Sequence, residues 1–345
     1  MTKNRIIGIV VGVCVVVAVV LVLVFTLGRQ PAPPAMEYKV GISQIVIHDA
    51  LDAAREGFKD ALTAAVLAEG GNVTYNEQEA AGEPGIAATI AESFVAQGVD
   101  LICAIATPCA QAAYVAVNET DIPVVFNSVT NPVVAGVVAN WTVPGGQVTG
   151  VSDIAPVDPQ LQLIVDILED VANNLTFEDL GVIYNPAEDN SVYQVDVQLP
   201  EAIAALNLTI SVVEQPASNP TEVLAAAEAL VGQVDAIWVP TDNTVVASIA
   251  AVILVAEDND IPLFASDTST VDTGVIGCWG MDYYDVGYAS GVMAAEILLE
   301  GANPATMPVQ TAPANLLYVY PQEAVRMGVT IPQWIIDMAD IVVTD

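Results

Sequence analysis

The sequence predicts an α/β protein: two similar, doubly wound parallel-sheet lobes joined by a hinge and preceded by one N-terminal transmembrane helix. Three observations predict it. Short β-branched runs alternate with Ala-rich stretches of helical length, the order of parallel strands and crossover helices. That order occurs twice along the chain, and an uninterrupted apolar run stands ahead of the first strand.

Ile6 to Leu27 contains 22 consecutive uncharged, mostly aliphatic positions, enough at about 1.5 Å per residue to span a hydrocarbon core of roughly 30 Å. Residues 1–28 therefore read as a membrane anchor. A cleaved signal peptide is the other reading, but the run exceeds an ordinary signal core and no clean small-x-small site follows it. Lys3 and Arg5 ahead of the span favour an inside N-terminus and an extracytoplasmic globular part. Residues 29–37 include Gln30-Pro31-Ala32-Pro33-Pro34-Ala35, a stiff Pro-rich spacer off the bilayer.

The duplication starts at Lys39. Lys39-Val-Gly-Ile-Ser43 leads into a helix around Ala53 to Leu67, as Leu180-Gly-Val-Ile-Tyr184 leads into one around Ser191 to Leu206. Asn72-Val-Thr-Tyr75 before Glu77-Gln78 matches Leu208-Thr-Ile-Ser211 before Glu214-Gln215. The strand from Val99 to Thr107 matches the one from Val234 to Asp242, and both copies close on Asp-Ile-Pro, at Asp121 and at Asp260. Four matches in one order imply two lobes of one topology. The expected division is 38–153 plus 283–308 for the first lobe and 154–282 plus 309–345 for the second.

Charge narrows the function. From Met36 onward four basic residues face all 42 acidic ones, a net charge of −38. Nucleic acid is excluded as a partner, because phosphate neutralisation needs clustered Lys and Arg. A polyanionic ligand is disfavoured for the same reason. Cys103, Cys109 and Cys278 have no metal-ligand spacing and read as buried thiols, and the lone His48 reads as a loop residue. No phosphate loop, metal motif or nucleophile elbow is present. The chain is read as a non-enzyme without cofactor or metal.

In open parallel sheets ligands sit beyond the carboxyl ends of the strands, and clefts between lobes favour small ligands. The first lobe offers Ser43 and Gln44, then Thr107 as a helix cap before Pro108, then Thr130. Such a helix start holds a carboxylate without arginine. The second offers Asn190, then Thr241 and Asp242, then Asp267; Asp153 and Asp282 stand at expected crossings between lobes. Asp242 and Asp267 suit a ligand ammonium.

These residues resemble the ABC-transporter substrate-binding proteins of the type I periplasmic-binding fold, whose members include tryptophan and tyrosine transport components. The resemblance rests on Val40-Gly-Ile-Ser-Gln-Ile45, Ala106-Thr-Pro108, Val129-Thr-Asn-Pro132, Val148-Thr-Gly-Val-Ser-Asp153, Gly181-Val-Ile-Tyr-Asn-Pro186, Val239-Pro-Thr-Asp-Asn-Thr-Val245 and Asp282-Tyr-Tyr-Asp285. It implies a hinge of three crossing segments and a small ligand held between lobes, an amino acid with aromatic ones favoured. It implies delivery to permease and ATPase subunits of an importer at the cell membrane. Its ligand positions fall on Ser43, Gln44, Thr107, Thr130, Asp153, Asn190, Thr241, Asp242, Asp267 and Asp282. Asn131 departs from the Asp common there. A ligand-sensing receptor ectodomain with a separate signalling partner is the alternative.

Overall fold

A computed structural model describes residues 36–344. The expected span from Ile6 to Leu27 lies outside them, and among the described residues no helix is long and apolar enough to cross a membrane.

The first sheet grows from β1 (Glu37–Gln44), which carries the chain through α1 (Asp49–Ala68) into β2 (Asn72–Glu79) and through α2 (Pro84–Gln97) into β3 (Leu101–Ile105). Next come α3 (Thr107–Ala116), β4 (Val124–Asn127) and β5 (Val148–Ser152). Every residue of β3, β4 and β5 is buried. That is why β3 reads as a continuously apolar run: a parallel sheet is covered by helices on both faces.

The second lobe repeats the plan. After α4 (Asp158–Leu168), β6 (Asp179–Tyr184) is followed by α5 (Asp189–Tyr193), a π-helical turn (Gln194–Gln198) and α6 (Leu199–Ala205). Then come β7 (Ser211–Pro216), α7 (Pro220–Leu230), β8 (Ala236–Val239), α8 (Asn243–Val246), α9 (Ile249–Asp258) and β9 (Leu263–Ala265). A 3₁₀ turn (Thr268–Thr273) precedes β10 (Gly277–Gly280). The chain then returns to the first lobe as α10 (Tyr283–Glu300) and β11 (Gln310–Thr311), and ends with β12 (Leu316–Val319) and β13 (Ile341–Val342) in the second sheet.

The strand orders are β11-β5-β4-β3-β1-β2 and β13-β12-β10-β9-β8-β6-β7. All pairings are parallel except β10 with β12. Each sheet has its own buried core, one around Phe58, Phe94 and Phe126, the other around Trp238, Phe264 and Leu161. Three segments link the sheets: 153–157, 281–282 and 312–315. The last lies later than the expected switch at 309, because Gln310 and Thr311 pair with Val151 and Ser152 at the edge of the first sheet. A two-residue edge strand carries no readable alternation.

The returning helix is clamped to α1 by glycine. A Cβ on Gly287 would collide with the Ala54 carbonyl, one on Gly291 with the Phe58 carbonyl, and one on Gly57 with the Tyr284 carbonyl. The two helices thus touch backbone to backbone, and α10 is fixed to the first lobe beside the hinge.

Candidate ligand-binding cleft

The carboxyl ends of both sets of strands meet across a narrow, nearly shut cavity. On the first-lobe wall two non-glycine residues are forced into the left-handed region, Ala106 at φ +76° and Ser128 at φ +59°. Such backbone persists only where its surroundings impose it, at a cost of about 1–3 kcal/mol each. Ala106 occupies the cap position of α3, so Thr107 is the first helical residue and does not cap it, contrary to expectation.

Seven of the expected residues line the cavity: Thr107, Thr130, Asp153, Asn190, Thr241, Asp242 and Asp267. Three do not. The Ser43 hydroxyl is buried against the Cys109 thiol at 3.3 Å. Gln44 donates to Asp52 Oδ1 at 2.8 Å and accepts from Arg55 at 3.0 Å. Asp282 caps α10, accepting the Tyr284 N–H at 2.8 Å. His48, read as a loop residue, does lie in the connection between β1 and α1, and it also lines the cavity with Leu51, Ser128, Asn243, Val246 and Tyr283. The connection from β1 to α1 runs four residues past the strand, so its far end, not its start, reaches the cleft. Leu51 and Val246 gave no signal, because apolar residues on a helix read as core.

The electrostatics are acidic. Asp153 accepts from Thr130 Oγ1 at 3.0 Å and from the Tyr283 hydroxyl at 3.4 Å. Burial nevertheless pushes its carboxyl up to about 6, and the nearby Asp267 adds to the rise. Asp242 accepts the N–H groups of Asn185 at 2.5 Å and Val245 at 2.8 Å, yet burial and then the Glu188 carboxylate raise it as well. Glu188 stands behind the cavity wall. Its two oxygens accept from Asn190, Asn243 and Thr244 side chains and from the Asn243 and Thr244 N–H groups. It is a structural knot that fixes α5, which carries Asn190, to the segment that follows Asp242.

Against these satisfied groups stand four idle atoms. Both ring nitrogens of His48, the Thr107 hydroxyl and Asn190 Oδ1 are buried with no hydrogen-bond partner. All three residues line the cavity. At the rim, Gln111 of α3 donates to Asp189 Oδ2 of α5 at 2.7 Å, bridging the lobes outside it.

Two lobes on three crossing segments, closed over a polar cavity, define a clamp for a small solute. The chain belongs to the ABC transporter substrate binding protein family, whose profile matches residues 39–343. It is 40% identical over 272 residues to the tyrosine-binding protein of Clostridioides difficile (strain R20291), covering 79% of this chain and 75% of that one. An ABC domain from Streptococcus pneumonia in complex with L-Trp is 32% identical, with a TM-score of 0.80 over 89% of this chain and 100% of the other. The ligand-free, open structure of a substrate binding protein with adhesive properties from Clostridium difficile is 36% identical but has a TM-score of 0.64, over 89% and 99%.

Proposed function

We propose that this substrate-binding protein captures an aromatic L-amino acid in its interlobe cleft and delivers it to permease and ATPase subunits, working outside a membrane to which residues 6–27 anchor it. The observation that carries the reading is the set of buried, idle polar atoms around the cavity. Unmade hydrogen bonds of buried groups are costly, so such atoms mark where a guest's groups complete them. Their chemistry suits a zwitterion. The Thr107 hydroxyl is a donor for a carboxylate, while Asn190 Oδ1 and the carboxylates of Asp153, Asp242 and Asp267 accept from an ammonium. Among the described residues no Lys or Arg lines the cavity. Aromatic ligands are favoured because the relatives above bind tyrosine or carry L-Trp.

Closure follows from differential contact: only the shut arrangement brings both sets of groups to one ligand, so binding selects it. The greater likeness to the L-Trp complex than to the open structure, at lower identity, supports a shut arrangement here. Thermal melting of the purified chain with each amino acid tests the reading. L-Tyr and L-Trp are expected to raise Tm, by the equivalent of about 2.7 kcal/mol at 100 times Kd. Absence of a shift with every aromatic amino acid refutes it.

A further inference from the structure

Six asparagines of the chain have threonine two places on, and five of them have no proline between: Asn72, Asn118, Asn140, Asn174 and Asn207. Asn-x-Thr is the acceptor pattern for N-linked sugar on surface segments of exported proteins, and proline at x bars it. All five asparagines are exposed. They also share one side of each lobe. Asn72 opens β2, about 23 Å from the carboxyl end of that strand at 3.3 Å per residue. Asn118 lies between α3 and β4, Asn174 between α4 and β6, and Asn207 between α6 and β7, each on the approach to a strand's amino end. Asn140 belongs with them, because the carbonyl of its neighbour Trp141 accepts the Val309 N–H at 2.8 Å directly before β11 begins. The ligand cavity stands at the carboxyl ends, so the five mark the far poles of the lobes, and none of them lines it. The sixth asparagine, Asn219, follows β7 at the cleft end and borders a cavity shared by both lobes. There Pro220 interrupts the pattern, and the Asn219 side chain caps α7, accepting the Thr221 N–H at 3.1 Å.

Local folding explains the asparagines only in part. Asn174 and Asn207 occupy left-handed backbone, at φ +51° and +55°, which asparagine tolerates. That accounts for neither threonine two places on. Asn140 holds its turn through Oδ1, which accepts from Thr142 and Val143, so its amide nitrogen, the atom that takes sugar, stands outside those bonds. Asn72 Nδ2 donates one hydrogen to Glu37 at the surface and has a second to give.

We propose that these five asparagines carry N-linked oligosaccharide, which sheathes the poles of both lobes and leaves the cleft bare. The inference rests on the reading of the lobes as lying outside the membrane. The donor is an oligosaccharide linked to a lipid phosphate, and the catalyst a membrane-bound transferase. The anomeric C–O bond to phosphate breaks and a C–N bond forms to the asparagine Nδ2. One amide proton goes to a base of the transferase, and the lipid phosphate leaves with the electron pair of the broken bond. Sugar at the cleft end stands in the way of lobes that must meet, whereas sugar at the poles leaves their closure free. The one asparagine of the pattern at the cleft end is the one that proline withholds.

Mass spectrometry of the full chain isolated from its own cells tests it, after cleavage at acidic residues, since Lys39, Arg55, Lys59 and Arg326 give trypsin few cuts. The peptides holding the five asparagines are expected to be heavier by whole sugar residues, and the peptide holding Asn219 to have its bare mass. Thr209→Ala, at an exposed position, should return the Asn207 peptide alone to its bare mass. Sugar on most of the five supports the proposal, and bare asparagine at most of them overturns it. Amino-acid affinity should be unchanged between the sugar-bearing protein and protein made in a host without the transferase. Weaker binding by the sugar-bearing form overturns the placement away from the cleft. Labelling of the exposed Lys39 by a membrane-impermeant amine reagent on intact cells reads the location separately. Lobes that label yet are bare sink the sugar alone, whereas lobes that do not label sink the extracytoplasmic reading and this proposal with it.

Discussion

Asp153 couples the site to pH in a direction fixed by its burial. The folded state holds its proton up to about pH 6, against an ordinary value of 3.8. The native state thus binds more protons than the unfolded chain between those values, and stability falls as pH rises through that window, by up to about 3 kcal/mol. Asp153→Asn should flatten this part of a Tm-against-pH curve and raise Tm at pH 7. The same substitution should weaken amino-acid binding, because a ligand ammonium favours the ionised carboxylate. For the unaltered chain, affinity measured by calorimetry should accordingly climb between pH 5 and pH 7. Ala106, at φ +76°, bears a cost of a different kind. Ala106→Gly removes a Cβ from a left-handed backbone at the price of a looser unfolded chain, about 0.4–1 kcal/mol against a strain of about 1–3. The variant should gain about 1 kcal/mol in urea melts.

The seam between α1 and α10 sets two effects of one substitution against each other. Gly287→Ala gains about 1 kcal/mol of helix propensity, but its methyl group meets the Ala54 carbonyl, and overpacking costs about 1–3 kcal/mol or more. Net destabilisation by denaturant is expected. Gly85→Ala in α2, where a Cβ meets nothing within 4 Å, should gain about 0.5–1 kcal/mol instead. The duplicated strands and helices were legible because each copy spells the same hydrophobic order and closes on Asp-Ile-Pro. The edge strand β11 and the π-helical turn at Gln194–Gln198 were not, since neither a two-residue pairing nor a register shift inside a helix leaves a hydrophobic period. In the site, Thr107 was legible from strand end followed by Pro108. Ser43, Gln44 and Asp282 misled because hydroxyls, amides and acids at strand ends also serve the lobe's own bonding. His48 hid behind a four-residue connection whose reach only the folded chain reveals.

Charge acts on the chain as a unit. The net −38 beyond residue 35 is opposed by few attractions: Arg55 and Lys59 meet Glu56 and Glu77, and Arg326 meets Glu323 and Glu257. Added salt therefore screens much repulsion and little attraction. Tm should rise by several degrees between about 0.05 M and about 1 M salt; a flat or falling curve contradicts this balance. The hydrogen bond from Gln111 to Asp189 at the rim bears on turnover. One solvent-facing hydrogen bond is worth about 1 kcal/mol, too slight a catch to keep unladen jaws together. Cargo gripped by both lobes adds to that cohesion, so the dwell time of the shut form lengthens with the cargo's own escape time. By reciprocity, any importer surface that prefers the shut shape tightens the hold on cargo by the factor with which cargo tightens docking. Unladen carriers then seldom compete for the gate.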